Sequence, residues 1–333
     1  MTLEPGRVLW GRPMTSRACV HCLFALCAFL TGTTFALGAE TPQPQNDSKK
    51  TLRIEVQDAN GVAVAGPGKV TRTHRGSSAT LAFEREYQPG DRIILSGPAQ
   101  IIARLDESMQ ECSLILADSP AAVFSFQIPY GEGEPQTRSA YSPKSFTGTA
   151  HQITVRVMTK RELSTYRNLA LNPCDQQLKH TTVEEAASQQ QAVVFPHATT
   201  NSVSRELPDF RARNAIDGET QNGHHGIWPY QSWGPGLGDD LWWKIDFGRT
   251  VEVDKIRLMV RADFPHDSYW QSAVVEFSDG GRVSIAIKPS ADFQDFAFPK
   301  RNVSWIKLNK LVPADPARWC SFIEVEAWGR DLE

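Results

Sequence analysis

Apolar and polar side chains take turns in short runs from residue 52 to near the end of the chain. Leu52, Ile54 and Val56 alternate with Arg53, Glu55 and Gln57; Trp243, Ile245 and Phe247 alternate with Lys244 and Asp246. Successive side chains of an extended strand point to opposite faces, so this period describes a strand with one face in a core and one in water. Runs of the same kind occupy 92–95, 101–105, 113–116, 123–128 and 153–157, then 243–247, 256–260, 274–277, 283–287, 305–308 and 323–328. Residues 51–165 hold no long window with the period of a helix. Turn signals separate the runs there: Asn60-Gly61, Pro89-Gly90, Gly97-Pro98 and Gly131-Glu132-Gly133. Many short strands joined by tight turns build sandwiches or barrels. The expected fold class is therefore all-β, with two jelly-roll-like β-sandwich domains in tandem.

A length of 333 residues suits about two domains. A hydrophobic content of 41% is enough for two real cores, and a net charge of −3 gives no pull toward nucleic acid or anionic membranes. The first 38 residues read as an export signal. Arg7, Arg12 and Arg17 precede the apolar run 19–30, and Ala36-Leu37-Gly38 offers small residues for cleavage. That run is shorter than the roughly 20 residues needed to span a bilayer, so removal is expected rather than anchoring. The protein is thus expected to be secreted, periplasmic or on the cell surface, without integral membrane association. Residues 39–50 are polar and proline-bearing and read as a disordered tether. The expected domains are 51–165 and 166–333. Cys19, Cys22 and Cys27 leave with the signal. Cys112, Cys174 and Cys320 remain, and an odd count permits at most one internal bridge.

Three blocks of the second half carry more than periodicity: Arg213-Asn214-Ala215-Ile216-Asp217-Gly218, then Trp242-Trp243-Lys244-Ile245-Asp246-Phe247-Gly248 running on to Val253-Asp254-Lys255-Ile256-Arg257-Leu258, and finally Ile323-Glu324-Val325-Glu326-Ala327-Trp328-Gly329. Together they resemble the discoidin domain, or coagulation-factor type C domain, of the galactose-binding-like superfamily. Asn168-Leu169-Ala170-Leu171-Asn172-Pro173 resembles the opening of its sugar-binding members. Those continue at once into the next strand; here residues 174–194, rich in Gln, Glu and Ala, intervene and predict a short surface helix over part of their length. Residues 51–165 carry no family signature.

The resemblance implies a sandwich that binds ligands with its loops and holds a structural calcium ion beneath them. Calcium takes six to eight hard oxygen ligands. Asp217 matches the family's aspartate, with the backbone near Asn214 as its neighbour, and Glu324 matches the late glutamate, with Glu326 as the alternative. The family prefers Asp or Asn two residues after the aspartate and Thr or Ser five after; Glu219 and Asn222 stand there. Without an ion, Asp217-Gly218 is an ordinary turn dipeptide. Relatives also tie their two ends together, which implies a Cys174–Cys320 bridge; the alternative is three buried free thiols.

The segment from His224 to Gly234 is glycine-rich and proline-broken, so it is a loop, yet it carries Trp228, Tyr230 and Trp233 beside His224 and His225. Large rings on a loop suit a ligand that stacks on them. Sugars offer apolar faces to rings and hydroxyls to arginine and histidine. Arg261-Ala262-Asp263 resembles the Arg-x-Asp of fucose-binding lectins of the superfamily, although the second arginine of that pattern is Ser268 here. His266, Trp270 and Trp319 fall in later loops and complete the candidate glycan site. Trp243 shares a face with Ile245 and Phe247 and belongs to the core, and Trp242 to the sandwich edge. His224-His225 are not read as a metal pair, since adjacent loop histidines rarely point together.

No Gly-x-Ser-x-Gly elbow, His-Glu-x-x-His motif or phosphate-cradling loop occurs. Asp106, Glu107 and Glu111 are candidates for glycoside hydrolysis only because they cluster in sequence, with a solvated loop as the ordinary reading. The expected function is glycan or polysaccharide binding by an exported protein. The rivals are a polysaccharide-active enzyme with its chemistry in residues 51–165, and an adhesin for proteins or phospholipid head groups.

Overall fold

The alternating runs become two separate cores. In the computed structural model, residues 51–332 are described except for 74–75, 117–122, 130–137 and 177–193. The export signal, the tether, the Gly131-Glu132-Gly133 turn and the expected helix between 177 and 193 lie outside the described residues.

The first sandwich packs a four-stranded sheet on a six-stranded one, both antiparallel. The smaller has β1 (Arg53–Gln57) and β5 (Arg92–Ser96) in the middle, flanked by β2 (Ala63–Ala65) and β8 (Val123–Gln127). The larger runs in the order β11 (Val194–Phe195), β7 (Cys112–Leu116), β6 (Gln100–Arg104), β9 (Ala150–Val157), β4 (Gly76–Glu84), β3 (Lys69–Thr73). The core is what the period foretold: Leu52, Ile54, Val56, Ile93, Leu95, Leu114, Phe124 and Phe126 are all buried.

The second sandwich is one continuous hydrogen-bonded sheet that folds over itself. Strand β13 (Trp243–Val260) begins in one layer, where residues 243–246 pair with β12 (His197–Thr200) and with the end of β16 (Gln294–Pro313). It ends in the other, where residues 251–260 pair with β17 (Phe322–Asp331) and with the start of β16. β14 (Trp270–Phe277) and β15 (Arg282–Ala286) extend the first layer, and β10 (Arg167–Asn168) the second. Gly248 sits at the fold of β13 with φ +66, and a Cβ there would meet the Phe195 ring at 2.4 Å. This explains why glycine closes the Asp246-Phe247-Gly248 block. Trp243, Ile245 and Phe247 from one layer and Val251, Val253, Ile256 and Leu258 from the other share one core. Trp243 is fully buried, and its indole Nε1 donates to the Ala212 carbonyl at 3.0 Å.

A break at 165/166 does not separate the two cores. The helix α1 (Lys160–Ser164), capped by Thr159 and Glu162, ends the first pass. The chain then opens the second sandwich at β10 but goes back. Cys174 and Val194 are buried in the first core. Gln176 clamps the backbone of Gln127, its Nε2 donating to the carbonyl at 2.7 Å and its Oε1 accepting from the N–H at 2.9 Å. β11 then completes the edge beside β7. Both ends of the 174–194 insertion are thus stitched to the first sandwich.

The Cys174–Cys320 bridge is excluded, because Cys320 lies in the second core and Cys174 in the first. The neighbour of Cys174 is Cys112, with its sulfur 3.4 Å away. Among the described residues, no helix is long and apolar enough to cross a membrane.

Candidate functional site

Two adjoining sites occupy one end of the second sandwich. The lower is a pair of buried carboxyl groups. Asp217 follows the 3-10 turn Ala212–Ala215, and Gly218 after it takes φ +86, which a side chain would strain. A Cβ at Gly218 would also meet Gln110 Oε1 of the first sandwich at 2.5 Å, so that domain roofs the turn. Glu324 comes from β17. Register shifts between Met259, which faces Glu324, and Val260, which faces Phe322, leaving Ile323 as an extra residue in a bulge. A bulge re-aims the side chains around it; Phe322, Ile323, Glu324 and Val325 are all buried.

Burial raises the Asp217 carboxyl to about 6, against an attraction from Arg213 that works the other way. Burial, reinforced by the Asp217 charge, holds Glu324 well above the usual carboxylate range. Glu324 Oε2 accepts from the Gly218 N–H, at 3.2 Å. Asp217 accepts from the Glu219 N–H at 3.0 Å and from Gln231 Nε2 at 2.9 Å. Gln231 Oε1 is buried without a hydrogen-bond partner among the described residues. Two like charges held together with an orphaned amide oxygen form an all-oxygen donor set, which fits a hard cation such as calcium.

The side chains of three expected ligand residues have other partners; at Asn214 the expected ligand is the backbone rather than the side chain. The Asn214 side chain is spent on structure: its Nδ2 donates to the Pro208 carbonyl at 2.8 Å and its Oδ1 accepts from Arg213. Asn222 turns its amide to the Ala291 carbonyl, at 2.5 Å. Glu326 is taken by Arg257 at 2.9 Å and by the Trp328 indole at 2.6 Å, which leaves Glu324 as the inward glutamate. Gln231 escapes a reading of the sequence because it sits among more conspicuous aromatics.

The upper site is the rim. Three loops meet there and are laced by backbone bonds. The Ala262 N–H donates to the Asn222 carbonyl at 2.8 Å, and the Ser268 N–H to the Trp319 carbonyl at 2.9 Å. Ile227, Phe264 and Trp319 are exposed, Trp319 to 44%. Tyr230 is half-buried against His224, with ring centroids 5.4 Å apart. Trp228 is half-buried, tied by its indole to Glu219 at 3.2 Å and by its N–H to the Ser139 carbonyl of the first sandwich at 2.7 Å. His225, Asp263 and His266 cluster, with His225 Nδ1 3.1 Å from Asp263 Oδ2.

Trp233, Trp270 and Arg261 are not on this surface. Trp233 is fully buried because its backbone exchanges hydrogen bonds with Phe322, at 2.9 and 3.1 Å, which draws a loop-like stretch into the sheet. Trp270 opens β14, and its ring stacks near Trp233 at 6.4 Å. Arg261 is 3% exposed and lies under the rim, its Nε paired with the fully buried Asp267 carboxylate. Its guanidinium is a support for Asp267 rather than a fork offered to solvent.

Two of the three carboxylates singled out in the first sandwich have local partners. Asp106 holds its own loop, accepting from the N–H groups of Ser108 and Phe146, each at 2.9 Å. Glu111 pairs with Arg156 at 3.7 Å.

No family model and no curated protein matches the chain. Among solved structures, chitosan-binding module 1 from a chitosanase/glucanase of Paenibacillus sp. IK-5 is similar at 20% identity, covering 49% of this chain and 99% of that one, with a TM-score of 0.32. The lectin domain of lectinolysin, complexed with Lewis B antigen, is similar at 19% identity over 41% of this chain and 94% of its own, with a TM-score of 0.32. An F5/8 type C domain from Bacteroides fragilis is similar at 19% identity over 40% of this chain and 91% of its own, also with a TM-score of 0.32. These are likenesses of shape, and the ligands belong to those proteins.

Proposed function

We propose that the protein is an exported carbohydrate-binding protein that grips a glycan on the rim of its second sandwich. The observation that carries this reading is the exposed Trp319 indole on a loop tied to the loop of Phe264 and His266. A flat ring of this kind covers the apolar face of a sugar, while imidazole nitrogens and the Asp263 carboxylate beside it exchange hydrogen bonds with hydroxyls. Such a shallow site binds weakly, in the range of tens of micromolar to millimolar, or about 4 to 6 kcal/mol. Calcium held by Asp217 and Glu324, with Gln231 beside them, would fix the turn under the rim; it supplies rigidity and takes no part in chemistry.

A glycan array followed by titration of the retained sugar tests the reading. Trp319→Ala is expected to weaken binding at least tenfold, about 1.4 kcal/mol, with the melting temperature unchanged because the ring is exposed. Retention of no glycan by the parent protein would end this reading. The exposed tips of Ile227, Phe264 and Trp319 also suit an interfacial lipid surface. Co-sedimentation with vesicles but no sugar binding would favour that rival.

A further inference from the structure

We propose that the rim also holds a divalent transition-metal ion, with zinc(II) the best match, between His225, Asp263, His266 and Asp267. This site is distinct from the carboxylate pair below it; it shares its imidazoles and Asp263 with the proposed glycan rim, and it is tested with the metal alone.

The ligand atoms of these four residues all lie within 4.8 Å of one another. Tetrahedral zinc with bonds of about 2.0 to 2.2 Å places its ligand atoms about 3.3 Å apart. The separations are close to that: His225 Nδ1 to Asp263 Oδ2 is 3.1 Å, His266 Nδ1 to Asp267 Oδ1 is 3.1 Å, and His266 Nδ1 to Asp263 Oδ2 is 3.8 Å. Small side-chain rotations close the remaining gap. The two imidazoles lie parallel, 5° between planes and 4.6 Å between centroids, and both present Nδ1 to the same carboxylate oxygen. His224 Nδ1 stands 4.0 Å from that oxygen as well. One carboxylate oxygen is a poor match for so many imidazole nitrogens, whereas a cation accepts their lone pairs together.

The support is built into the fold. Asp267 is fully buried and clamped by Arg261, and its N–H donates to the Asp263 carbonyl at 2.9 Å, so both carboxylates are pre-set. Partners that fix a ligand's orientation in this way commonly govern metal affinity. Mixed imidazole and carboxylate donors favour zinc, nickel, cobalt or copper, while calcium calls for oxygen alone. His266 is 53% exposed at its side chain, so a coordination position faces solvent.

The full chain, stripped with a chelator and dialysed, would be titrated with zinc chloride by calorimetry, and with cobalt(II) by visible absorption. One saturable site is expected, with the absorption of four-coordinate cobalt. His225→Ala and His266→Ala are each expected to lower zinc affinity at least tenfold, with melting temperatures close to the parent's because both rings are partly exposed. If either alanine variant fails to fold, the glutamine variant takes its place. Absence of saturable zinc binding overturns the proposal. So does binding that persists in the His225→Ala/His266→Ala double variant. Glycan retention by the metal-free protein is scored separately through Trp319, so a failure here leaves the sugar reading standing.

Discussion

Removing calcium is expected to destabilise the protein at neutral pH and to have little effect near pH 5. Asp217 in the fold has its carboxyl raised to about 6, and burial raises Glu324 well above the usual carboxylate range as well. A carboxyl raised in this way favours the folded state while it keeps its proton. That contribution is fully present below the ordinary carboxylate range and is lost as the pH climbs through about 6. For Asp217 alone the loss is about 3 kcal/mol at neutral pH, given about 1.4 kcal/mol per pH unit. For a protein of this size that is roughly 6 to 12 °C of melting temperature. An ion held by Asp217 and Glu324 reverses the slope, because it binds the ionised forms and adds about 2.7 kcal/mol at a hundredfold excess over its dissociation constant. Thermal melts with chelator and with calcium, at about pH 5 and about pH 7.5, check this. The two curves are expected to coincide at the lower pH and to separate at the higher. Asp217→Asn is expected to flatten the metal-free dependence and abolish the calcium response. Identical melts under all four conditions would remove the ion from the account.

The second large effect concerns sulfur. Refolding in the presence of an oxidant is expected to join Cys112 to Cys174 and to leave Cys320 as a thiol. The two sulfurs lie 3.4 Å apart, and a bond requires about 2.05 Å, so a slight movement suffices. The Cys174 contact and burial hold the Cys112 thiol well above its usual range, so the thiolate is scarce once the core has closed. Bridging is therefore expected during folding. With glutathione disulfide as oxidant, two thiols give up two protons and two electrons, and two molecules of glutathione form. The linked residues are 62 apart, and closing a loop of that size restricts the unfolded chain by about 4 kcal/mol. Reductant is thus expected to lower the melting temperature by roughly 8 to 16 °C. Alkylation of the denatured, unreduced chain followed by peptide mapping reads the pairing. A Cys174–Cys320 peptide, or alkylation at both Cys112 and Cys174 after refolding with oxidant, would refute it.

Much of the scaffold is legible because a two-faced strand writes its period into local sequence. Trp243, Ile245 and Phe247 go to the core as their spacing demands, and 92–95, 101–105 and 153–157 become β5, β6 and most of β9. β4 is hidden because Gly76-Ser77-Ser78 masks the alternation of Ala79, Leu81 and Phe83. The site is harder to read because distant partners decide it. Trp233 looks like a loop ring between glycine and proline, and only its bridge to Phe322 turns it inward. Arg261 looks like a sugar fork until Asp267, six positions on, claims it. Which of Glu324 and Glu326 points inward depends on one bulged residue, Ile323, and no local pattern announces a bulge. The pairing of Asp217 with Glu324 is anticipated only through the resemblance of their two sequence blocks to the discoidin pattern; locally, Asp217-Gly218 reads as a turn and nothing separates Glu324 from Glu326.

The return of the chain to build β11 has a practical consequence. Val194 and Phe195 finish the edge of a sheet begun before residue 120, and Cys174 helps fill its interior. Severing the polypeptide near 166 would strip one half of a border strand and strand the other half's apolar residues in water. The halves are therefore not interchangeable cassettes that can be shuffled between proteins. Calorimetry should record their melting as one event rather than two.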